Sequence, residues 1–130
     1  MENLFLQSTT CSPEIEFSPK NNIFKITGES CMSDANLFYA PVLAWLRAYG
    51  SNENSGAQFK FHFSAVSQSS MKMLLFVCQE IKSMQIDGSE VHVSWCFSNE
   101  KPELKEIGQD ISYMTDLDFD YVLLEILELV

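Results

Sequence analysis

The chain has 130 residues, 46% of them hydrophobic, which is enough to bury the core of one domain without disulfides or metal. Its formal net charge of -10 repels nucleic acid backbones and anionic lipid surfaces. No apolar stretch approaches the roughly 20 residues that are needed to span a bilayer. We therefore expect one cytoplasmic domain over residues 1–130 that binds neither nucleic acid nor membrane.

Three strands are predicted before the first helix, at residues 3–7, 14–18 and 23–27, because apolar and polar side chains alternate there. The first strand lies in the segment ENLFLQS, which resembles a protease-cleavage tag. The alternation of Leu4 and Leu6 nevertheless favours a native strand.

The first predicted helix follows Ser33 or Asp34, and either side chain is expected to cap it. Pro41 lies within this helix and is expected to bend it or to shift its start, whereas Gly50 suits its end. Apolar residues at three- and four-residue steps predict one buried face, made of Leu37, Phe38, Pro41, Val42, Trp45, Leu46 and Tyr49.

The central part of the chain changes from a strand pattern to a helix pattern. Residues 59–66 alternate phenylalanines with polar side chains, and a helix follows from Ser67 or Ser69 to Met84. We call the serine-rich connection the elbow. Its residues are Ser67, Gln68, Ser69, Ser70 and Lys72.

The last third predicts a strand, a helix and a further strand. The strand covers residues 90–97 and the helix covers residues 102–114, where Gly108 weakens the helical pattern. Alternation over residues 117–121 predicts the final strand, and periodicity leaves residues 122–130 open between strand and helix.

The residue types that bind metals or react as nucleophiles form no recognisable site. His62 and His92 become neighbours only if their strands pair, and two imidazoles alone make a weak metal site. The sequence therefore predicts reduced thiols, no metal and no cofactor. The cysteines lie far apart with no CxxC pair, at Cys11, Cys31, Cys78 and Cys96.

Catalytic motifs are also missing from the sequence. It contains no GxSxG, HExxH, Walker, GxGxxG or EF-hand pattern. Asp118 and Asp120 alternate with apolar residues, which is typical of the solvent-exposed face of a strand. We therefore predict no catalytic residues.

The serines of the elbow have two interpretations. Their hydroxyls can cap the exposed amides of the following helix, which is worth about 1 kcal/mol. Alternatively, a phosphate on one of them would meet the positive end of the helix dipole and switch the charge of a partner surface. Lys72 lies close enough in sequence to orient a phosphate or a partner carboxylate.

Several segments together resemble the SiaC family of bacterial regulatory phosphoproteins. The similarity runs over most of the chain and rests on the common order and spacing of short motifs. They are Ser12-Pro13-Glu14-Ile15, Gly28-Glu29-Ser30, Ala35, the helix Phe38-Tyr39-x-Pro41-x-x-x-Trp45-Leu46, Ser69-Ser70-x-Lys72, Val93-x-Trp95-x-Phe97 and Glu106-x-Gly108-x-Asp110.

The resemblance implies an α/β fold, a single-domain mixed β-sheet packed with α-helices that is STAS-like (SpoIIAA-like). It also implies a non-catalytic signalling protein of a partner-switching pathway, whose state a Ser/Thr kinase and a PP2C-like phosphatase would set. In the best-known branch, the unphosphorylated form activates a diguanylate cyclase and so acts in cyclic-di-GMP signalling and biofilm formation.

The sequence departs from the family pattern at two places. Family members commonly have Asn-Thr-Ser-Ser-x-Lys at the elbow, with the threonine as phosphoacceptor, where this chain has Ser67 and Gln68. Before the first helix, Cys31 and Met32 replace the usual Tyr-Pro. Both departures lie in regions that a partner would touch.

Three hypotheses about function follow from these departures. The first is a SiaC-like interaction protein whose partner surface includes the elbow and the helix over residues 67–84; because glutamine accepts no phosphate, phosphorylation has either moved to Ser67 or Ser69 or been lost. Alternatively, phosphoregulation is lost and the chain is a constitutive protein-interaction module. A small-ligand-binding protein or an enzyme is the remote alternative.

Overall fold

The computed structural model describes residues 2–51 and 56–124. These residues form six strands, three α-helices and one short 3-10 turn. In chain order they are β1 (Leu4–Leu6), β2 (Glu14–Ser18), the turn (Pro19–Asn21), β3 (Ile23–Ser30), α1 (Asn36–Gly50), β4 (Ala57–Val66), α2 (Gln68–Ile86), β5 (Val91–Ser98), α3 (Glu103–Thr115) and β6 (Asp120–Leu124).

The strands form one mixed sheet in the order β1-β2-β3-β4-β5-β6. The pairs β1–β2 and β2–β3 are antiparallel, whereas β3–β4, β4–β5 and β5–β6 are parallel. Each parallel pair is joined through a helix, and all three connections step in the same direction across the sheet. Because such crossovers are right-handed, α1, α2 and α3 lie on one face of the sheet. The predicted mixed α/β sheet is confirmed.

The core lies between the sheet and these helices. Phe59, Phe61 and Phe63 alternate inward along β4, as predicted, and the Trp95 ring of β5 packs edge-on against Phe61. Toward β3, on the same face of the sheet, Phe24 packs 5.2 Å from Tyr49 of α1, measured between ring centroids. The aromatic side chains therefore fix the helices onto one face of the sheet.

The opposite face of the sheet carries polar side chains along its central strands. Lys60 and His92 are exposed there, and His62 is half-buried. The two histidines are not paired, since His62 lies opposite Cys96 and Gln58 lies opposite His92. Partial desolvation, with a smaller effect of the positive charge on Lys60, lowers the pKa of His62. Pairing of β4 with β5 therefore does not make the two histidines direct partners.

Helix α1 begins and packs differently from the sequence prediction. Its N-cap residue is Ala35, not Ser33 or Asp34, although the Asp34 side chain accepts a hydrogen bond from the Asn36 amide at 3.1 Å. The helix runs through Pro41 from Asn36 to Gly50 without a later start.

The predicted buried face of α1 is wrong at two positions. Leu37 is 87% exposed, and Pro41 is also exposed. The core contacts of this helix come instead from Tyr39, Val42, Leu43, Leu46 and Tyr49. Leu37 and Pro41 follow the three- and four-residue spacing of apolar residues but lie on the side away from the sheet.

The C-terminal strand was only partly predicted. Its described part starts at Asp120, three residues later than expected, and continues as strand to Leu124. The open question for residues 122–130 is settled as strand for residues 122–124, and residues 125–130 lie outside the described part. The narrower STAS-like assignment and the single domain over residues 1–130 stay predictions.

Candidate functional site

The elbow joins β4 to α2 through a single extended residue. Ser67 has φ -80° and ψ 166°, and its hydroxyl accepts a hydrogen bond from the Ser70 amide at 3.1 Å. The same hydroxyl donates to the Met32 carbonyl oxygen at 2.7 Å. The predicted capping role of a serine is therefore confirmed at Ser67, which also ties α2 to the segment before α1.

Ser69 makes a second connection between the two helices. Its hydroxyl oxygen accepts a hydrogen bond from the Ala35 amide at 2.8 Å. Ala35 is the N-cap residue of α1 and has no side chain that could cap the helix itself. A serine of α2 thus satisfies a backbone donor at the start of α1.

Ser70 belongs to a buried hydroxyl network beneath the elbow. The Ser30 and Ser70 hydroxyl oxygens are 2.7 Å apart, and Ser30 is also 2.7 Å from the Tyr39 hydroxyl. Both serines are fully buried, as is Tyr39. Burial raises the pKa of Tyr39 well above its ordinary value, and its hydrogen bond with Ser30 opposes this rise. The network is therefore uncharged at neutral pH and links β3, α1 and α2.

The remaining residues of the elbow face solvent. Gln68 is the first residue of α2, and Lys72 follows one turn later on the same side; both are exposed. Phe76, a further turn along, is 40% exposed. Leu37 lies in the first turn of α1, two residues after Ala35, whose amide donates to Ser69. We call Leu37, Gln68, Lys72 and Phe76 together the elbow surface.

Sequence analysis missed part of this site. It identified the elbow serines, but it paired none of them with Ser30 or Tyr39, because these partners are 40 and 31 residues away from Ser70 in the chain. Leu37 was assigned to the core. The only sequence signal for its exposure is that α1 has more apolar positions than one helix face can bury.

Other candidate sites have little support in the described residues. Within residues 2–51 and 56–124, no group of three or more His, Cys, Asp or Glu side chains is placed to hold a metal ion. In the same residues, no helix is long and apolar enough to cross a membrane. Asp118 and Asp120 are both exposed, but only Asp120 lies on a strand, because β6 begins there and Asp118 precedes it.

Known proteins share both the sequence pattern and the fold. The model of the SiaC family of regulatory phosphoproteins matches residues 6–124. No curated protein sequence matches significantly. The crystal structure of apo-SiaC from Pseudomonas aeruginosa is similar with a TM-score of 0.84 at 14% identity, covering 96% of this chain and 100% of that one.

A second solved structure from Pseudomonas aeruginosa contains the diguanylate cyclase SiaD in complex with its activator SiaC. The match has a TM-score of 0.85 at 13% identity and covers 93% of this chain and 99% of that one. At such identities the structures show the fold, whereas the family model shows the relationship. The chain belongs to the SiaC family of regulatory phosphoproteins, which are signalling proteins and not enzymes.

Proposed function

We propose that this chain is a cytoplasmic signalling protein that binds a protein partner through its elbow surface. A diguanylate cyclase is the proposed partner, because the structurally similar SiaC is the activator of such an enzyme. The observation that carries the proposal is Leu37, a large apolar side chain that is 87% exposed beside the elbow.

The composition of the elbow surface supports protein binding. Leu37 and the partly exposed Phe76 offer apolar anchors, and Gln68 and Lys72 offer a polar rim. The buried network of Ser30, Tyr39 and Ser70 holds the two helices that carry these side chains. A surface that is already ordered loses less entropy on binding.

Binding through this surface is tested with charge substitutions at equally exposed positions. We expect Leu37→Asp to weaken binding to the diguanylate cyclases of the source cell at least about tenfold, which corresponds to 1.4 kcal/mol. Tyr113→Asp is the matched control, because Tyr113 is 88% exposed on α3, near the opposite end of the helix layer. The measurement is biolayer interferometry with individually purified cyclases.

Two outcomes would contradict the proposal. One is that Leu37→Asp and Tyr113→Asp bind as the unchanged protein does. The other is that both variants lose binding equally, since the contact would then not be specific to the elbow surface. Circular dichroism of the variants shows whether each one is folded.

For regulation, we propose that the native chain binds its partner constitutively. By resemblance, position 68 is the phosphoacceptor position of the family, and here the exposed first residue of α2 is Gln68. The neighbouring hydroxyl of Ser67 caps the helix and donates to the Met32 carbonyl, so a phosphate there would break both contacts. Ser70 is fully buried.

Gln68→Thr tests this regulatory proposal. The threonine would restore a hydroxyl at an exposed position, where a phosphate lies near the positive end of the helix dipole. We expect a Ser/Thr kinase of the SiaC pathway to phosphorylate the variant at position 68 and a PP2C-like phosphatase to reverse it. Under the same conditions the unchanged protein should stay unmodified, as determined by site-resolved mass spectrometry.

Ser69 is the second candidate for regulation. Its side chain is half-buried, and within the described residues its hydroxyl makes one cross-helix hydrogen bond, to the Ala35 amide. A phosphate on Ser69 would disturb only that contact at the start of α1. Phosphate on Ser69 or Ser67 of the unchanged protein, placed there by the same kinase, would refute constitutive binding and support a moved phosphoacceptor.

A further inference from the structure

Two cysteines that are far apart in the sequence meet beside the elbow. The Cys31 amide donates a hydrogen bond to the Cys11 carbonyl oxygen at 3.0 Å. This contact lies just beyond the β2–β3 ladder, which ends with the pair Glu14 and Thr27. Local desolvation, and then a hydrogen bond with the Cys11 thiol, raise the pKa of the Cys31 thiol. The Cys31 sulfur also lies 3.9 Å from the carbonyl oxygen of Thr10, the residue next to Cys11, so the two cysteines are neighbours in the fold.

The backbone geometry suits a disulfide between them. One N–H···O=C bond joins the two backbones here, which holds the α-carbons close enough for a bridge, since disulfides span roughly 4.4 to 6.8 Å between α-carbons. Both cysteines are exposed, so an oxidant can reach them. Cys78 and Cys96 are buried, and burial raises the pKa of each thiol.

The segment around Cys11 is held in place by its neighbours. The Thr9 hydroxyl oxygen accepts hydrogen bonds from the Cys11 amide at 3.2 Å and from the Ser12 amide at 3.0 Å. The Thr9 amide in turn donates to the Ser12 carbonyl oxygen at 3.0 Å. This turn presents Cys11 to Cys31 before any covalent bond forms, which lowers the entropy cost of joining them.

We propose that Cys11 and Cys31 form a reversible disulfide by exchange with a small oxidised thiol such as glutathione disulfide. The thiolate of one cysteine attacks the glutathione disulfide, forming a mixed disulfide and releasing one reduced glutathione. The second cysteine, as its thiolate, then attacks the protein sulfur of the mixed disulfide and displaces the second glutathione. Two protein thiols are oxidised, one glutathione disulfide is reduced, and each protein thiol proton ends on a released glutathione.

This modification site bears directly on the elbow. Cys31 lies between Ser30 and Met32, and both of these residues accept hydrogen bonds from Ser67 through their carbonyl oxygens, at 2.8 and 2.7 Å. A bond to Cys11 fixes these two acceptors to the segment that connects β1 and β2. The oxidised protein therefore holds the start of α2 more firmly than the reduced one. Transient, sensing disulfides are the kind found in the reducing cytosol.

Peptide mapping tests the disulfide directly. The folded protein is incubated with glutathione disulfide, alkylated and digested with trypsin without reduction. Cleavage after Lys20, Lys25 and Arg47 places Cys11 alone in peptide 1–20 and Cys31 alone in peptide 26–47. We expect these two peptides to be linked in a monomeric protein and to separate after dithiothreitol. Separate glutathione adducts without a linked species, or the link only in a covalent dimer, would overturn the proposal.

Single variants supply the matched control and the conformational test. Cys11→Ser and Cys31→Ser each keep one thiol, so each should take up glutathione without forming the link. In the unchanged protein, oxidation should slow amide hydrogen exchange around Ser67 at least about threefold, and in either variant it should not. Unchanged exchange in the linked protein would refute the effect on the elbow. Neither result depends on the proposed partner, whose binding is measured separately.

Discussion

Gly108 in α3 is the position where one added methyl group should disturb the fold most clearly. A β-carbon built there would lie 2.6 Å from Cε2 and Nε1 of the Trp95 indole and 2.7 Å from Cδ1. Trp95 is 1% exposed, and its Nε1 donates a hydrogen bond to the Leu104 carbonyl oxygen of the same helix at 2.9 Å. The glycine lets this rigid ring lie directly against the helix backbone.

The effect of Gly108→Ala is the balance of two opposing terms. Alanine stabilises a helix interior by about 1 kcal/mol relative to glycine. Against this, relieving contacts of 2.6 Å with a ring that cannot bend requires the helix and β5 to separate, and overpacking of this kind costs about 1 to 3 kcal/mol. If the Trp95 indole N–H loses its hydrogen bond to the Leu104 carbonyl oxygen, this buried donor is left unsatisfied, which costs about 1 to 3 kcal/mol more. Taking the middle of each range, we expect a net destabilisation of about 1 kcal/mol if the hydrogen bond is kept and about 3 kcal/mol if it is lost.

Urea denaturation measures this change, and Gly50→Ala is its control. The β-carbon added at Gly50 would meet only the flexible Met84 side chain, at 3.3 Å from Cγ. Gly50→Ala should therefore stay within about 0.5 kcal/mol of the unchanged protein. For a chain of this size, Gly108→Ala should lower the midpoint of thermal unfolding by about 4 to 10 °C. A Gly108→Ala protein as stable as the unchanged one would refute the packing argument.

Two further predictions concern the elbow and the face of the sheet opposite the helices. Ser67→Ala removes the N-cap of α2 and should lower the free energy of unfolding, measured in urea, by about 1 to 2 kcal/mol. The control is Ser33→Ala, at an exposed position. A loss of stability in Ser67→Ala that is no larger than in this control would contradict the capping role. Protonation of His62 opposes folding, because desolvation and Lys60 lower its pKa in the folded protein. Stability should therefore fall as the pH drops through about 6.5, and less steeply in His62→Gln, whereas an unchanged slope would contradict the assignment.

Local patterns were sufficient to predict most of the secondary structure. Alternate side chains of β4 are buried, and so is one set of residues on α2, so the periods that predict this strand and this helix match the fold. Ser67 was identified as a capping candidate because its partner amide, that of Ser70, lies only three residues away. Features whose partners are close in the chain are visible in the sequence.

The exposed side of α1 shows why local patterns also fail. Spacing alone cannot distinguish a residue at the edge of an apolar face from one on the opposite side, and Leu37 fits the pattern while pointing to solvent. The predicted N-cap of the same helix, Ser33 or Asp34, is wrong for a related reason. The amide of Ala35 is satisfied by Ser69, which belongs to another helix 34 residues away.

The elbow illustrates how tertiary contacts change the meaning of a sequence motif. By sequence, Ser67, Ser69 and Ser70 are equivalent hydroxyls near a helix start. In the fold, the first caps α2 and binds the Met32 carbonyl, the second caps α1, and the third is buried against Ser30. Each hydroxyl therefore ties α2 to β3, to the segment before α1 or to the start of α1. The side chain that remains exposed at this helix start is the one without a hydroxyl, Gln68, so a regulatory phosphate must compete with structure wherever else it attaches.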